Sequence, residues 1–283
     1  MAKINLLIPI AGKGSRFLEQ GYVLPKQLLF AGKKQCIEWS LGSFKLEDFN
    51  LIFIIRDEHI YNFSYDKILR SKYGPNIEVI SLKVITRGSV ESCLSAKDLI
   101  NNDTPLIIFT MDVMFSPQIT SSTFNNKLDG GLLVFRSNSP AYSYAQIEDG
   151  LVSKTAEKEV ISNNAIVGVY HFGKGADFVK YAEKMIALEF LTKGEFYLAP
   201  LYNLMIEDNK RVQVSEIEEM HLFGTPEELS FFENYSLRSK LFEPIGMCSD
   251  HSGFLLKEKV KEYLQSHSIE VIDFGTFNNS DCD

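Results

Sequence analysis

A chain of 283 residues and 32.1 kDa has room for one large α/β domain with an appendage, or for two ordinary domains. Its 45% apolar and 23% charged residues exclude a mainly disordered chain, and a net charge of −8 has the wrong sign for a sequence-independent nucleic-acid binder. No apolar run approaches the roughly 20 residues of a membrane helix, the N-terminus lacks a signal-peptide pattern, and Cys36, Cys93, Cys248 and Cys282 form neither a zinc motif nor a disulfide framework, so a cytoplasmic protein without membrane contact is expected. In chain order, residues 4–10 are a short β-branched run ending at a Gly-rich turn, which predicts a buried parallel strand. Residues 51–55, 77–84 and 105–110 are further runs of strand length, with helical patterns at 36–44, 57–72 and 89–100 between them. That alternation predicts βαβ units and a doubly wound, mostly parallel sheet. From residue 130 the strand-like runs come closer together, at 130–136, 144–148, 151–155 and 165–172, and Asp149-Gly150 is a hairpin signal, so an antiparallel portion is expected.

Helical patterns follow at 175–188 and 196–206, then a strand at 212–216 and a helix opening at Thr225-Pro226-Glu227, where Pro follows a Thr cap. A boundary falls near residues 241–244, dividing the chain into 1–240 and 241–283. Beyond it, a strand at 245–248, a helix at 253–266 with an apolar stripe of Leu256, Val260, Tyr263 and Leu264, and a strand at 270–274 make one short βαβ unit. About forty residues cannot bury a core of their own. The unit is therefore expected to pack on the main domain, to pair between chains, or to open a longer protein, and homo-oligomerisation stays open.

Charge is unevenly spread. Residues 1–34 carry six cations and one anion, whereas residues 215–283 carry five cations and fourteen anions. A basic start on an acidic protein points to a local site for a small anion. The first strand runs into Ala11-Gly12-Lys13-Gly14-Ser15-Arg16-Phe17, and Pro25-Lys26-Gln27-Leu28-Leu29 follows. Two glycines allow a close backbone approach to an anion, and exposed N–H groups there can hold phosphate oxygens. Gly-x-Gly alone is often only a strand-to-helix turn. A dinucleotide fingerprint would need a third Gly where Phe17 stands and an acidic residue about twenty positions on, and a P-loop would end in Gly-Lys-Ser/Thr. Neither pattern is met, which sets aside a dinucleotide-dependent oxidoreductase.

Together, these two segments resemble the nucleotidyltransferases that join a nucleoside triphosphate to a sugar or polyol phosphate and release pyrophosphate, with a similarity running over about residues 3–232. The resemblance implies a Rossmann-like nucleotidyltransferase fold. It implies a triphosphate site at Ala11, Gly12, Gly14 and Ser15, with Arg16 and Lys26 at the reacting phosphates. Asp112, in Phe109-Thr110-Met111-Asp112, matches the strand-end Asp that holds Mg²⁺ in the family, although a lone strand-end Asp is more often a loop cap. Glu157-Lys158 resembles the pair whose Lys grips the acceptor phosphate, and Tyr197 falls in a segment that shapes the acceptor pocket; a solvated charge run and a core tyrosine are the plainer alternatives. Such a site fits the chemistry, because an anionic phosphate must approach an anionic α-phosphate and cations must offset the charge.

PKQ-x-L is similar to cytidylyltransferases acting on polyol phosphates, and Arg87-Gly88-Ser89-Val90 is a shortened version of their Arg-x-x-Ser-Val segment. Gly88-Ser89-Val90-Glu91 is also a loose match to the Gly-x-Ala-Glu of uracil-, guanine- or thymine-reading relatives, and a Ser hydroxyl can donate or accept, so chemistry alone leaves the base open. CTP is the favoured triphosphate, with Arg87, Ser89 and Glu91 assigned to its binding. One departure stands out: Leu222 occupies the position at which many sugar-1-phosphate members carry a second metal-binding Asp, and an aliphatic side chain cannot ligate Mg²⁺. Either His221 or Glu219 stands in, or one protein carboxylate suffices with substrate phosphates, or the chain is an inactive relative that binds nucleotide to regulate or scaffold.

The tail resembles the opening of a type B ribose-5-phosphate isomerase, through Gly246-Met247-Cys248-Ser249-Asp250-His251-Ser252-Gly253-Phe254 and Asp273-Phe274-Gly275-Thr276. That resemblance implies sugar-phosphate contacts at Asp250 and His251. The family's later segments are not found and Cys282 lies too early for its thiol, so a domain cut short and no isomerisation are expected. Both resemblances point to an acceptor with a terminal rather than anomeric phosphate, in a pathway to a capsule or surface polysaccharide.

Overall fold

The computed structural model describes residues 3–125, 127–238, 244–266 and 269–276; Cys282 and the expected boundary after residue 240 lie outside the described residues. The Ile4–Pro9 strand sits inside the sheet because it is apolar on both faces. Leu7 packs into one core with the Gly175–Ala187 and Leu198–Glu207 helices, while Leu6 and Ile8 enter a second core with Ile37, Phe44, Tyr65 and Leu69. Helices thus cover both sides of the sheet, as a doubly wound fold requires.

The main path through the sheet runs Leu151–Glu157, Ser143–Glu148, Asn164–Phe172, Leu106–Phe109, Ile4–Pro9, Phe49–Arg56, Glu78–Leu82. The last four strands are parallel to one another. The sheet turns antiparallel at Asn164–Phe172, which also pairs with Gly130–Arg136, and Val212–Glu216 joins the latter in parallel. The expected mixed α/β fold, mostly parallel with antiparallel strands, is the observed one. The Asp149-Gly150 hairpin takes positive φ at both residues, as a tight two-residue loop demands.

Three local differences matter. The helix expected over 57–72 is two, Asp57–Phe63 and Tyr65–Tyr73, because Ser64 adopts a left-handed φ of 50° and so turns Tyr65 and Leu69 into the core. The pattern over 89–100 likewise divides into Ser89–Leu94 and Lys97–Ile100, with the Ser95 hydroxyl donating to Ser92 O at the break. Val113–Ser116 and Glu219–Leu222, not foreseen as strands, form an antiparallel ribbon in which Val113 opposes Leu222.

The tail is the βαβ unit expected: Ile245–Met247 pairs in parallel with Val271–Asp273, and the Phe254–Ser266 helix connects them. Lys257 is buried in it and donates to both Asp273 oxygens and to Thr276 O. Leu256 and Tyr263, on the helix's expected apolar stripe, are exposed. Among the described residues no helix is long and apolar enough to cross a membrane.

His171 lies inside the sheet, stacked on Phe124 with ring centroids 4.6 Å apart, and neither ring nitrogen has a hydrogen-bond partner. Burial pulls its imidazole down to about 4. An unfolded histidine takes up its proton near 6.5, so between those values the unfolded chain binds the extra proton and stability falls as the pH drops. His171→Leu is expected to flatten this acid limb. Denaturant unfolding at pH 7 and pH 5 checks it; the same wild-type-to-variant difference at both pH values would count against it.

Candidate active site

Two cavities meet at the C-terminal edge of the parallel strands, where open α/β sheets bind ligands. The first, about 480 Å³, is lined by the loop after Ile4–Pro9 (Ala11, Gly12, Gly14, Ser15) with Lys26 and Ser89. The second, about 560 Å³, is lined by Arg16, Glu157, Lys158, Tyr197 and Leu222. Ser89, Thr110, Asp112 and Glu195 line both, so Asp112 stands on the rim they share.

Local sequence explains each placement. Gly14 takes φ 62° and starts the short Ser15–Glu19 helix, which sets Arg16 toward the second cavity. Phe17, standing where a dinucleotide fingerprint would need Gly, is buried in a third apolar cluster with Trp39, Phe223 and Phe232. Pro25 leads into a single 3-10 turn at Lys26–Leu28, anchored by buried Gln27 and Leu28. From it, the Lys26 ammonium donates to Asp112 Oδ1. Asp112 follows the Leu106–Phe109 strand after Met111, whose φ is 51°, and its backbone O accepts from Phe223 N at 3.0 Å.

At the far side, Lys158 also has a positive φ, 53°, and its Nζ donates to Tyr197 Oη at 2.7 Å. That hydrogen bond holds the ammonium above its ordinary pKa. Glu157 accepts from the Ser143 hydroxyl, and burial holds its carboxyl above the usual carboxylate range. The segment carrying Tyr197 is bound to the one carrying Ser89: Phe196 N donates to Arg87 O at 2.8 Å and Val90 N to Phe196 O at 3.1 Å.

Of the residues singled out from sequence, Ala11, Gly12, Gly14, Ser15, Arg16, Lys26, Ser89, Asp112, Glu157, Lys158 and Tyr197 come together around the two cavities. Arg87 and Glu91 do not line them. Arg87 pairs with Glu91 and Glu189 and lies over the Phe196 ring, so the Arg87 and Glu91 side chains brace the loop whose Ser89 lines both cavities. His221 and Glu219, candidates to replace the missing Asp, pair with each other at 3.0 Å, while Met220 and Leu222 on the alternate face line the second cavity. Sequence reasoning missed Thr110, Glu195 and Glu228, all of which line the site. Thr110 and Glu195 fall inside the segments that carry Asp112 and Tyr197, and Glu228 had the capping pattern Thr225-x-x-Glu228.

Among the described residues, no three His, Cys, Asp or Glu side chains gather as a metal centre. Asp112 is a hard oxygen donor of the kind Mg²⁺ takes, and Mg²⁺ is commonly held by one or two carboxylates plus substrate phosphates. With Oδ1 on Lys26, Asp112 turns Oδ2 to the space beside Gly224, where a side chain would begin to fill the gap. The residues present therefore fit such an ion.

Solved structures similar to this chain are nucleotide-sugar pyrophosphorylases and nucleotidyltransferases. The nucleoside-diphosphate-sugar pyrophosphorylase of Vibrio cholerae RC9 matches with a TM-score of 0.72 and 27% identity, over 81% of this chain and 99% of that one. A UDP-glucose pyrophosphorylase complexed with UDP-glucose matches at 0.65 and 17% identity, covering 83% and 98%. The inositol-1-phosphate CTP transferase of T. maritima matches at 0.66 and 15% identity, covering 82% and 95%. The last two matches, at such identities, speak to fold alone. The ribose/galactose isomerase family model matches residues 245–283. No curated protein sequence matches the chain significantly.

Proposed function

We propose that the chain is a nucleotidyltransferase that joins a nucleoside triphosphate to a sugar or polyol phosphate and releases pyrophosphate. The observation that carries this reading is the Lys26–Asp112 contact on the rim between the Gly-rich-loop cavity and the Lys158–Tyr197 cavity. The likeness to the Vibrio cholerae pyrophosphorylase adds to it.

In the reaction, a phosphate oxygen of the acceptor attacks the α-phosphorus, the α–β bridge breaks, and pyrophosphate leaves with the electron pair. The loop N–H groups bind the triphosphate, and Lys26 and Arg16 place positive charge where the α-phosphoryl oxygens gain negative charge. Lys158, held by Tyr197, binds the acceptor phosphate. Glu157 and Tyr197 orient the rest of the acceptor. Asp112 would hold Mg²⁺, which when bound would supply further charge neutralisation.

CTP is the favoured nucleotide, from PKQ-x-L and Ser89. A terminal phosphate is the favoured acceptor group, because Leu222 separates the chain from the anomeric-phosphate enzymes with two Asp residues. The products would serve a capsule or other surface polysaccharide. A second reading, a nucleotide-binding protein without catalysis, draws on the same Leu222.

Pyrophosphate release measured with each of four triphosphates against a panel of acceptor phosphates tests these readings. CTP with a pentose, hexose or polyol terminal phosphate is expected to react fastest, and glucose-1-phosphate slowly. Faster turnover with another base, or with 1-phosphates alone, overturns the corresponding specificity. Binding without turnover for every pair favours the second reading.

A further inference from the structure

Leu222 removes one carboxylate from the site, yet a second carboxylate is present beside Asp112. Phe223 N bonds to Asp112 O, which brings the Gly224 backbone up against the Asp112 side chain. A Cβ at Gly224 would stand 3.3 Å from Asp112 Oδ2 and 3.4 Å from Glu228 Oε2. Both carboxylates therefore border the space above Gly224, where a side chain would crowd Asp112 and touch Glu228. Gly224 does not take the left-handed backbone that would by itself call for glycine.

We infer that Glu228 supplies the second anionic side chain of the metal site, replacing the carboxylate absent at Leu222. The inference rests on the nucleotidyltransferase reading above. Glu228 lies in the first turn of the Pro226–Arg238 helix and lines the second cavity with Arg16 and Asp112. Its position is fixed by a reciprocal cap: Thr225 N donates to Glu228 Oε2 at 3.0 Å, and Glu228 N donates to Thr225 Oγ1 at 3.1 Å. The bond from Thr225 N engages Oε2, the oxygen that borders the Gly224 space, and leaves it a second lone pair for a further partner. Neighbouring Glu227 instead accepts from Gln20 at 2.7 Å on the exposed side of the helix.

Two carboxylates facing one space repel unless a cation lies between them. Lys26 engages only Asp112 Oδ1, so the Oδ2 side remains for such a cation. Glu228 borders this space from a helix, whereas Leu222 lines the same cavity from a strand. Mg²⁺ commonly keeps several waters, so Glu228 would act on the ion through its hydration shell and contribute less than a direct ligand.

The test is Mn²⁺ titration, read by electron paramagnetic resonance, on the full chain saturated with a CTP analogue whose α–β bridge cannot be cleaved. Glu228→Gln keeps a carbonyl for the Thr225 N–H and removes the charge. It is expected to weaken Mn²⁺ binding roughly 10-fold at an unchanged Tm, while Glu227→Gln leaves the affinity as in the wild type. Adding Leu222→Asp to Glu228→Gln is expected to recover most of the loss. Gly224→Ala, which puts a methyl group between the carboxylates, should also weaken Mn²⁺ binding.

Unchanged Mn²⁺ affinity in Glu228→Gln, with or without a lower Tm, overturns the inference and leaves Glu228 as a helix cap. Asp112→Asn separates the two levels of the argument. If it weakens Mn²⁺ binding and Glu228→Gln does not, only the role of Glu228 fails. If neither does, the metal site itself fails.

Discussion

Lys26→Ala is expected to lower turnover by roughly 10²–10³-fold, the usual loss when one preorganised charge aimed at a developing oxyanion is removed. The dissociation constant of the triphosphate should rise by less than about 5-fold, because a group that acts mainly in the transition state contributes little to ground-state binding. The geometry gives the reason. In the ligand-free chain the Lys26 ammonium already has a carboxylate partner, Asp112, so binding phosphate exchanges one anion for another. As the α-phosphoryl oxygens gain charge, that exchange becomes favourable. The pair is partly exposed, at 20% and 38% for the two side chains, so stability should change little. Steady-state kinetics with calorimetric titration of the triphosphate checks this; equal losses in turnover and affinity would make Lys26 a binding residue only.

Gly88→Ala is expected to be the most damaging single methyl group in the site. Gly88 has φ 140°, and a Cβ there would lie 2.5 Å from both Phe196 N and Phe196 O. Those atoms belong to backbone, one bonded to Arg87 O and the other to Val90 N, so they cannot give way as a side chain tip would. The substitution combines strain with broken hydrogen bonds, at about 3 kcal/mol, which for a domain of this size lowers Tm on the order of 6–10 °C. It should also separate the Ser89 loop from the Tyr197 segment and so weaken nucleotide and acceptor together. A thermal melt and two binding titrations check it. A Tm within about 2 °C of the wild type, with both affinities intact, would show the contact to be dispensable.

Much of the site was legible because its parts are local. A β-branched strand, a Gly-rich turn, a Pro-Lys turn and a strand-end Asp each announce themselves within a few residues, and topology alone brings them to one sheet edge. The strand limits at Gly130–Arg136 and Val212–Glu216 were likewise readable from apolar runs bounded by polar turns. What could not be read depends on pairing across the chain. The Val113–Ser116 and Glu219–Leu222 ribbon joins segments about a hundred residues apart, four residues each, and neither is long enough to show a period. The resemblance put position 222 beside the metal, but without that register nothing in the sequence placed Glu228 against Asp112. Arg87 shows the opposite limit. Its motif pointed to the nucleotide, but its guanidinium pairs with Glu91 and Glu189 over the Phe196 ring, outside the residues that line the cavities. A charge in a motif does not reveal which neighbours satisfy it.

The Lys26–Asp112 pair also governs how ligands arrive. Under the proposed function each partner offsets the other's attraction, so Asp112 would draw a free metal ion weakly while Lys26 rests on it, and Lys26 would draw a free triphosphate weakly while Asp112 holds it. In the proposed reaction a metal–triphosphate complex would meet neither obstacle, since its phosphates would take up the Lys26 ammonium and leave Asp112 its full charge for the ion. The two affinities are therefore coupled, each ligand raising that of the other by the same factor. At low ligand concentration the site would favour the two ligands arriving together over either alone.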